Sequence, residues 1–196
     1  MKKKTIIWIV VAVVILGSFG WVKNVYNKFV SADEYAQSMW SQVENVYQRR
    51  SDLVPNLVAT VKGYAAHESE TLESVVAARA KATQVTVDPS NLTAESVAKF
   101  NEAQGELSTA LGRLLLIQEN YPDLKANENF RDLQAQLEGT ENRIATERMK
   151  FNQAVKDYNT NIRRFPANII ASAFGFEKKG YFEAQAGAET APKVEF

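Results

Sequence analysis

Residues 40–64, WSQVENVYQRRSDLVPNLVATVKGY, decide the fold. Trp40, Tyr47, Val54 and Val61 recur at every seventh position, and Val43, Leu57 and Tyr64 form a companion row. Apolar residues at that spacing line one side of an α-helix, because seven residues complete almost two turns. The helix is expected to start near Asp33, a capping residue with Glu34 and Gln37 close behind it. Pro55 falls inside the stripe. Proline has no N–H to donate, so it should kink the helix or leave one carbonyl free. The amphipathic stretch from Leu72 to Ala82 is expected to continue the same helix.

Further along, residues 84–93 (QVTVDPSNLT) read as a loop, since Asp88-Pro89-Ser90-Asn91 is turn chemistry. Thr93 is placed to cap a second helix. Its stripe is Val97, Phe100, Gln104, Leu107, Leu111, Leu114, Gln118 and Tyr121, ended by Pro122. A third helix begins near Asn127 or Asn129. Phe130, Leu137, Ile144, Phe151, Tyr158 and Phe165 fall at intervals of seven, with Leu133, Val155 and Ile162 in the second row. Thr140 and Glu147 interrupt that second row. At a rise of about 1.5 Å per residue this helix extends roughly 50 Å. Pro166 should stop or kink it, a short helix should follow from Ala167 to Phe174, and Gly175 should end that one. Beyond Lys178-Lys179-Gly180 the chain turns polar, and residues 184–196 are expected to be disordered.

Toward the N-terminus, the basic Met1-Lys2-Lys3-Lys4 precedes an uncharged run, TIIWIVVAVVILGSFGWV, from Thr5 to Val22. Its length of about 27 Å approaches the thickness of a bilayer core. Trp8 and Trp21 lie near its two ends, where interfacial aromatics are favoured. The run reads as an uncleaved anchor. A removed secretory peptide is the competing reading, because Ser18-Phe19-Gly20 is a small-x-small triplet. No cysteine follows, which excludes a lipoprotein anchor. Three lysines and the α-amino group flank one end; Lys23 and Lys28, then Asp33 and Glu34, flank the other. That bias favours a cytoplasmic N-terminus and an extracytoplasmic domain.

The expectation is an all-α protein: a single N-terminal transmembrane helix followed by an antiparallel up-and-down bundle of three long amphipathic helices. An extended coiled coil is the alternative, disfavoured by the prolines and helix breaks. Residues 1–30 would be the basic N-terminus and anchor, 31–183 the bundle and 184–196 the tail.

Composition narrows function mainly by exclusion. The 196 residues carry zero formal net charge, which argues against nucleic acid as a partner. Cysteine is absent, so thiol chemistry and cysteine-ligated metals are excluded. His67 is the single histidine. Beside Glu68 and Glu70 it evokes a metal site, but a di-iron carboxylate pattern needs two Glu-x-x-His units. His67 is therefore read as solvated. No glycine-rich phosphate loop, nucleophile elbow or zincin motif occurs, and no catalytic, cofactor-binding or metal residue is assigned.

One polar group stands out. Arg50 occupies the row of Val43 and Leu57, with Arg49, Asp52 and Asn56 nearby. These four are the candidate interaction or structural cluster. Either Arg50 enters a buried polar network, or it snorkels to water from the edge of the stripe. The cost of an unpaired buried charge weighs toward the second. Arg49-Arg50, Arg163-Arg164 and Lys178-Lys179 are basic pairs that read as solvated faces, or as headgroup contacts if they lie near a bilayer.

Residues 40–58, WSQVENVYQRRSDLVPNLV, and Val61-Lys62-Gly63-Tyr64-Ala65-Ala66-His67-Glu68 resemble the signature of LemA family proteins. The likeness continues at Glu119-Asn120-Tyr121-Pro122-Asp123-Leu124-Lys125-Ala126-Asn127 and Phe130. It closes with Tyr158-Asn159, Phe165-Pro166, Phe174-Gly175-Phe176 and Tyr181-Phe182. It implies one N-terminal membrane helix and a helical, bundle-like domain. LemA-like proteins have no established enzymatic activity and no agreed catalytic residues, so the resemblance assigns none. Family members often stand beside TPM-domain proteins and HtpX-like membrane proteases in genomes, which implies a partner role in envelope maintenance.

The leading expectation is thus a non-enzymatic, membrane-anchored interaction or scaffold protein of the bacterial cell envelope, held in the cytoplasmic membrane by Thr5, Trp8, Trp21, Val22 and the residues between. Its expected partners are the lipid bilayer, other membrane or envelope proteins and a second copy of itself, with no cofactor. The alternative is a protein that binds or remodels the membrane surface directly, which zero net charge weakens. A hydrolase or metal enzyme of unfamiliar type is the weakest reading.

Overall fold

The apolar run and the first heptad stripe belong to one helix. The computed structural model describes residues 3–183, so the expected disorder of the tail lies outside the described residues. Helix α1 runs from Lys3 to Tyr64, 62 residues and roughly 90 Å long. The expected start at Asp33 is corrected: residues 23–32 contain neither proline nor glycine, and nothing there interrupts the helix. Asp33 instead accepts a hydrogen bond from Gln37 Nε2 at 2.6 Å within the helix.

Pro55 does not break α1 either. The carbonyl that it deprives of a helical donor belongs to Ser51, four residues earlier. Arg79 Nε of the next helix donates to that oxygen at 2.9 Å. The free carbonyl allowed for in the sequence therefore becomes an inter-helix tie.

The stretch from Leu72 to Ala82 is not a continuation of α1. It forms a separate helix, α2 (Ser69–Gln84), which folds back beside α1 after a turn at residues 65–68. Ala65 in this turn is fully buried. His67 lies exposed in the same turn rather than on a helix, and Tyr64, expected in the stripe, is 45% exposed. Tyr64 Oη accepts instead from Asn127 Nδ2 at 2.9 Å.

The loop over 85–93 is present, and Thr93 caps α3 (Ala94–Leu116) by accepting from Ser96 N at 3.1 Å. A 3-10 turn (Ile117–Asn120) follows. Ile117, not Gln118, is buried at its start. Pro122 does not end that helix. It opens a short one, α4 (Pro122–Ala126), where its missing N–H costs nothing. Asn127 then caps α5 (Glu128–Arg163), accepting from Phe130 N at 2.9 Å. Phe130, Leu137, Ile144, Phe151 and Tyr158 are all buried. Phe165 is not; it is 82% exposed, because Pro166 disfavours helical backbone before it and α5 stops at Arg163. Helix α6 (Ala167–Ala173) follows, and Gly175 turns the chain at φ +75°.

The bundle is antiparallel and up-and-down, as expected, but it has four long helices rather than three. Three apolar layers stack along it. Near the span, Phe29 meets Tyr158, Ile162 and Ile170. In the middle, Trp40 and Tyr47 meet Phe100, Ile144 and Phe151. At the far end, Leu57 and Val61 meet Leu72, Leu107, Leu114 and Phe130. Helix α2 is too short to cover all three. Below it the loop 85–92 and a C-terminal strap, residues 174–183, fill its place, burying Val87, Leu92 and Phe182 against the middle layer.

The strap is sewn in by backbone contacts. Asn159 Nδ2 donates to Lys179 O and its Oδ1 accepts from Lys179 N, both at 2.9 Å. Asn152 does the same for Phe182 at 2.8 and 2.9 Å. Gly180 N donates to Leu92 O at 2.8 Å. A Cβ on Gly180 would fall 2.6 Å from Ala94 Cα and 2.8 Å from Thr93 O. Those are backbone atoms that cannot swing aside. Gly180→Ala should therefore cost about 1–3 kcal/mol by overpacking. Hydrogen exchange should show the loss first in residues 176–183; unchanged protection there would refute the role given to Gly180.

Candidate functional site

Between the middle and far apolar layers lies a polar one, built around Arg50. Its side chain is 1% exposed, so the expected snorkelling to water does not occur. The register of α1 points it inward with Val43 and Leu57, and three groups make that burial tolerable. Nη1 donates to Ser108 Oγ at 2.6 Å and to Glu141 Oε1 at 2.9 Å. Nη2 donates to Gln104 Oε1 at 2.6 Å and to Gln104 O at 2.9 Å. The guanidinium carbon also lies 4.9 Å from the centre of the Tyr47 ring, within cation–π range.

The network reaches further. Gln104 Nε2 donates to Ala82 O at 3.2 Å, one of the terminal carbonyls that α2 cannot satisfy itself. Glu141 on α5, Arg50 on α1, Gln104 and Ser108 on α3 and the end of α2 are thus joined by one chain of hydrogen bonds. A charge that can be neutralised in only one alignment of four helices penalises every other alignment. Its partner Glu141 is 46% exposed, so the pair keeps one hydrated end. Burial pushes the Tyr47 phenol above its ordinary value, against the opposing charges of Arg148 and Arg50.

Of the other three residues in the expected cluster, none joins Arg50. Arg49 is exposed, Asp52 is exposed and accepts from Gln48 Nε2 at 2.8 Å, and Asn56 is exposed, with its carbonyl accepting from Thr60. The partners that sequence reading missed are Gln104, Ser108 and Glu141. Gln104 carried a signal, as a polar residue at a stripe position of its own helix. Ser108 and Glu141 lie off the stripes and carried none.

A second buried ion pair sits closer to the span. Lys179 Nζ contacts Asp33 Oδ1 at 2.7 Å and lies 5.2 Å from the centre of the Tyr158 ring. Burial, then the carboxylates of Asp33 and Glu177, push the Tyr158 phenol up to about 12. A raised pKa means that the folded chain holds this proton after the unfolded chain has lost it. Stability should therefore be intact below about pH 10 and fall as pH rises toward about 12. Ultraviolet titration of Tyr158→Phe against the parent checks this: the variant should lose the latest-ionising phenol. An unaltered titration curve would contradict it.

Three of the four anchor residues are exposed, on different sides of α1. Thr5 is exposed, Trp8 is 73% and Trp21 42% exposed, while Val22 packs beside the Phe29 layer. An open groove of about 950 Å³ runs between α3 and the strap, lined by Ala98, Asn101, Gly105 and Thr109 among others. Among the described residues no group of three or more histidine, aspartate or glutamate side chains is placed to hold a metal.

These features define a helical-bundle protein with a candidate membrane span continuous with its first bundle helix. The chain belongs to the LemA family, whose model matches residues 39–196. It is similar to magnetosome protein MamQ 2 of Paramagnetospirillum magneticum, 29% identical over 182 residues, covering 84% of this chain and 67% of the relative. MamQ of Magnetospirillum gryphiswaldense is similar to the same degree, at 29% over 182 residues with the same coverage. Protein LemA of Metamycoplasma hominis is 22% identical over 158 residues, covering 81% of this chain and 68% of the relative.

Proposed function

We propose that this protein is a non-enzymatic, membrane-anchored scaffold of the bacterial cell envelope, single-pass in the cytoplasmic membrane with its bundle on the extracytoplasmic side. The observation that carries the reading is α1, which is at once the candidate span and a wall of the bundle. Such a helix holds a rigid helical surface at a fixed place beside the bilayer. Membership of the LemA family and the likeness to magnetosome proteins support the membrane setting. The interior charge at Arg50 is engaged by side chains of its own chain, which supports a structural use for it.

The open groove beside α3 offers a surface to another helix or segment. Its occupants would be other envelope proteins or a second copy of this chain. Photo-crosslinkers at Ala98 and Thr109, in intact membranes, should give discrete protein adducts. No adduct at either position, not even a homodimer, would tell against the scaffold reading. The side of the membrane is tested by protease accessibility in spheroplasts against lysed cells. Digestion of the bundle only after lysis would reverse the orientation.

A further inference from the structure

We propose that the corner where α5 turns into α6 is a second membrane contact, seated in the headgroup layer of an anionic bilayer beside the span. The inference rests on the reading of residues 5–22 as membrane-spanning. Three observations meet at this corner.

The first is height. Ala167 and Phe176 belong to the same packed layer as Val22 and Val25. Val22 is the last residue of the apolar run. The corner is thus held beside the first turns of α1 beyond the run, with Phe174 and Phe176 packed on Tyr26, about 6 Å past Val22 and at headgroup depth.

The second is what faces outward there. Phe165 is 82% exposed, Ile169 61% and Phe174 57%. Helix α6 turns Ile170 and Ala171 into the bundle and leaves Ile169 on its outer side. Tyr26 meets Phe174 edge-on at 5.0 Å, extending the apolar surface toward α1, where Trp21 is also exposed. Large apolar groups gathered beside a span are a surface for the acyl and headgroup boundary.

The third is charge. From residue 5 to 32 the only charged side chains are Lys23 and Lys28; from 158 to 176 they are Arg163 and Arg164. All four are exposed. The bounding acids Asp33, Asp157 and Glu177 lie further from the span along their segments. A chain of zero net charge has therefore sorted its end nearest the span to purely positive. Cations ringing exposed aromatic and aliphatic groups match an anionic lipid surface. An anionic lipid surface accounts for both the height of this apolar patch and the four cations beside it.

The chain lacks cysteine, so single cysteines can carry an environment-sensitive fluorophore. The full chain is reconstituted in phosphatidylglycerol–phosphatidylethanolamine vesicles containing nitroxide lipids. The positions are Phe165→Cys, Ile169→Cys, Val13→Cys in the span and Leu116→Cys at the far end of the bundle. Labels at 165 and 169 should be blue-shifted and quenched by shallow nitroxides, at least about twofold more than at 116. The label at 13 should respond to deep nitroxides. Arg163→Glu with Arg164→Glu should reduce the quenching at 169. Water-like behaviour at 165 and 169 with quenching at 13 would overturn this proposal and leave the span standing. Loss of quenching at 13 as well would overturn the span and the corner contact together. A signal at 165 and 169 that vanishes when protein is diluted at constant lipid would mean contact between copies, and would also overturn it.

Discussion

Arg50→Ala is expected to lower the unfolding free energy by about 3 kcal/mol or more. The change removes charge-assisted bonds to Ser108, Glu141 and Gln104. It also leaves the Gln104 amide oxygen without its donor in a site that is 7% exposed, and opens a cavity against Tyr47. Urea denaturation of the detergent-solubilised chain measures it. Two companions separate the causes. Arg50→Leu restores much of the packing but none of the bonds, so it should recover only part of the loss. Glu141→Gln should cost no more than about 1 kcal/mol, since that carboxylate is 46% exposed and keeps an acceptor oxygen. If Arg50→Leu matched or exceeded the parent in stability with its biology intact, the four-helix tie would have no energetic role.

Trp40→Ala should be at least as damaging, at about 3–5 kcal/mol. The indole is fully buried where α1, α3, α5 and the strap converge. Its ring lies 5.1 Å from Phe100 and 5.3 Å from Phe151, both edge-on, and is stacked 5.5 Å from Phe182. No neighbouring element is free to collapse into the space, because the strap is fixed by Asn152 and Asn159 on either side of the site. Trp40→Phe should lose less than half as much. A Trp40→Ala protein with an unchanged denaturation midpoint would show that the middle layer is not what holds α1 to the bundle.

The stripes were legible because a helix buried on one side must repeat near every seventh residue, and Val54, Leu107 and Phe151 obey that rule. The caps at Thr93 and Asn127 were legible as local chemistry. The turn between α1 and α2 was not. It is made of Ala65, Ala66, His67 and Glu68, none of which breaks a helix strongly, and it exists because α2 has an apolar face to bury against Leu57 and Val61. The strap escaped for a related reason: Phe182 has no periodic neighbours to announce it. The stripe marks Arg50 as inward-facing, but the partners that make its burial tolerable lie 54 and 91 residues further along the chain, beyond the reach of any local pattern.

The unbroken α1 has a mechanical meaning. Positions 8, 15, 22 and 29 continue, by sevens, into 36, 43, 50 and 57; because a straight helix drifts about 20° per seven residues, Val22, Ile15 and Trp8 lie about 20°, 40° and 60° round from the buried Phe29. With no hinge between, the shaft cannot turn in the lipid without turning the bundle by the same angle. A neighbouring membrane helix that gripped the Trp8–Ile15 side would thereby set the compass heading of the groove beside α3. A torsional coupling of this kind needs no conformational switch, only stiffness.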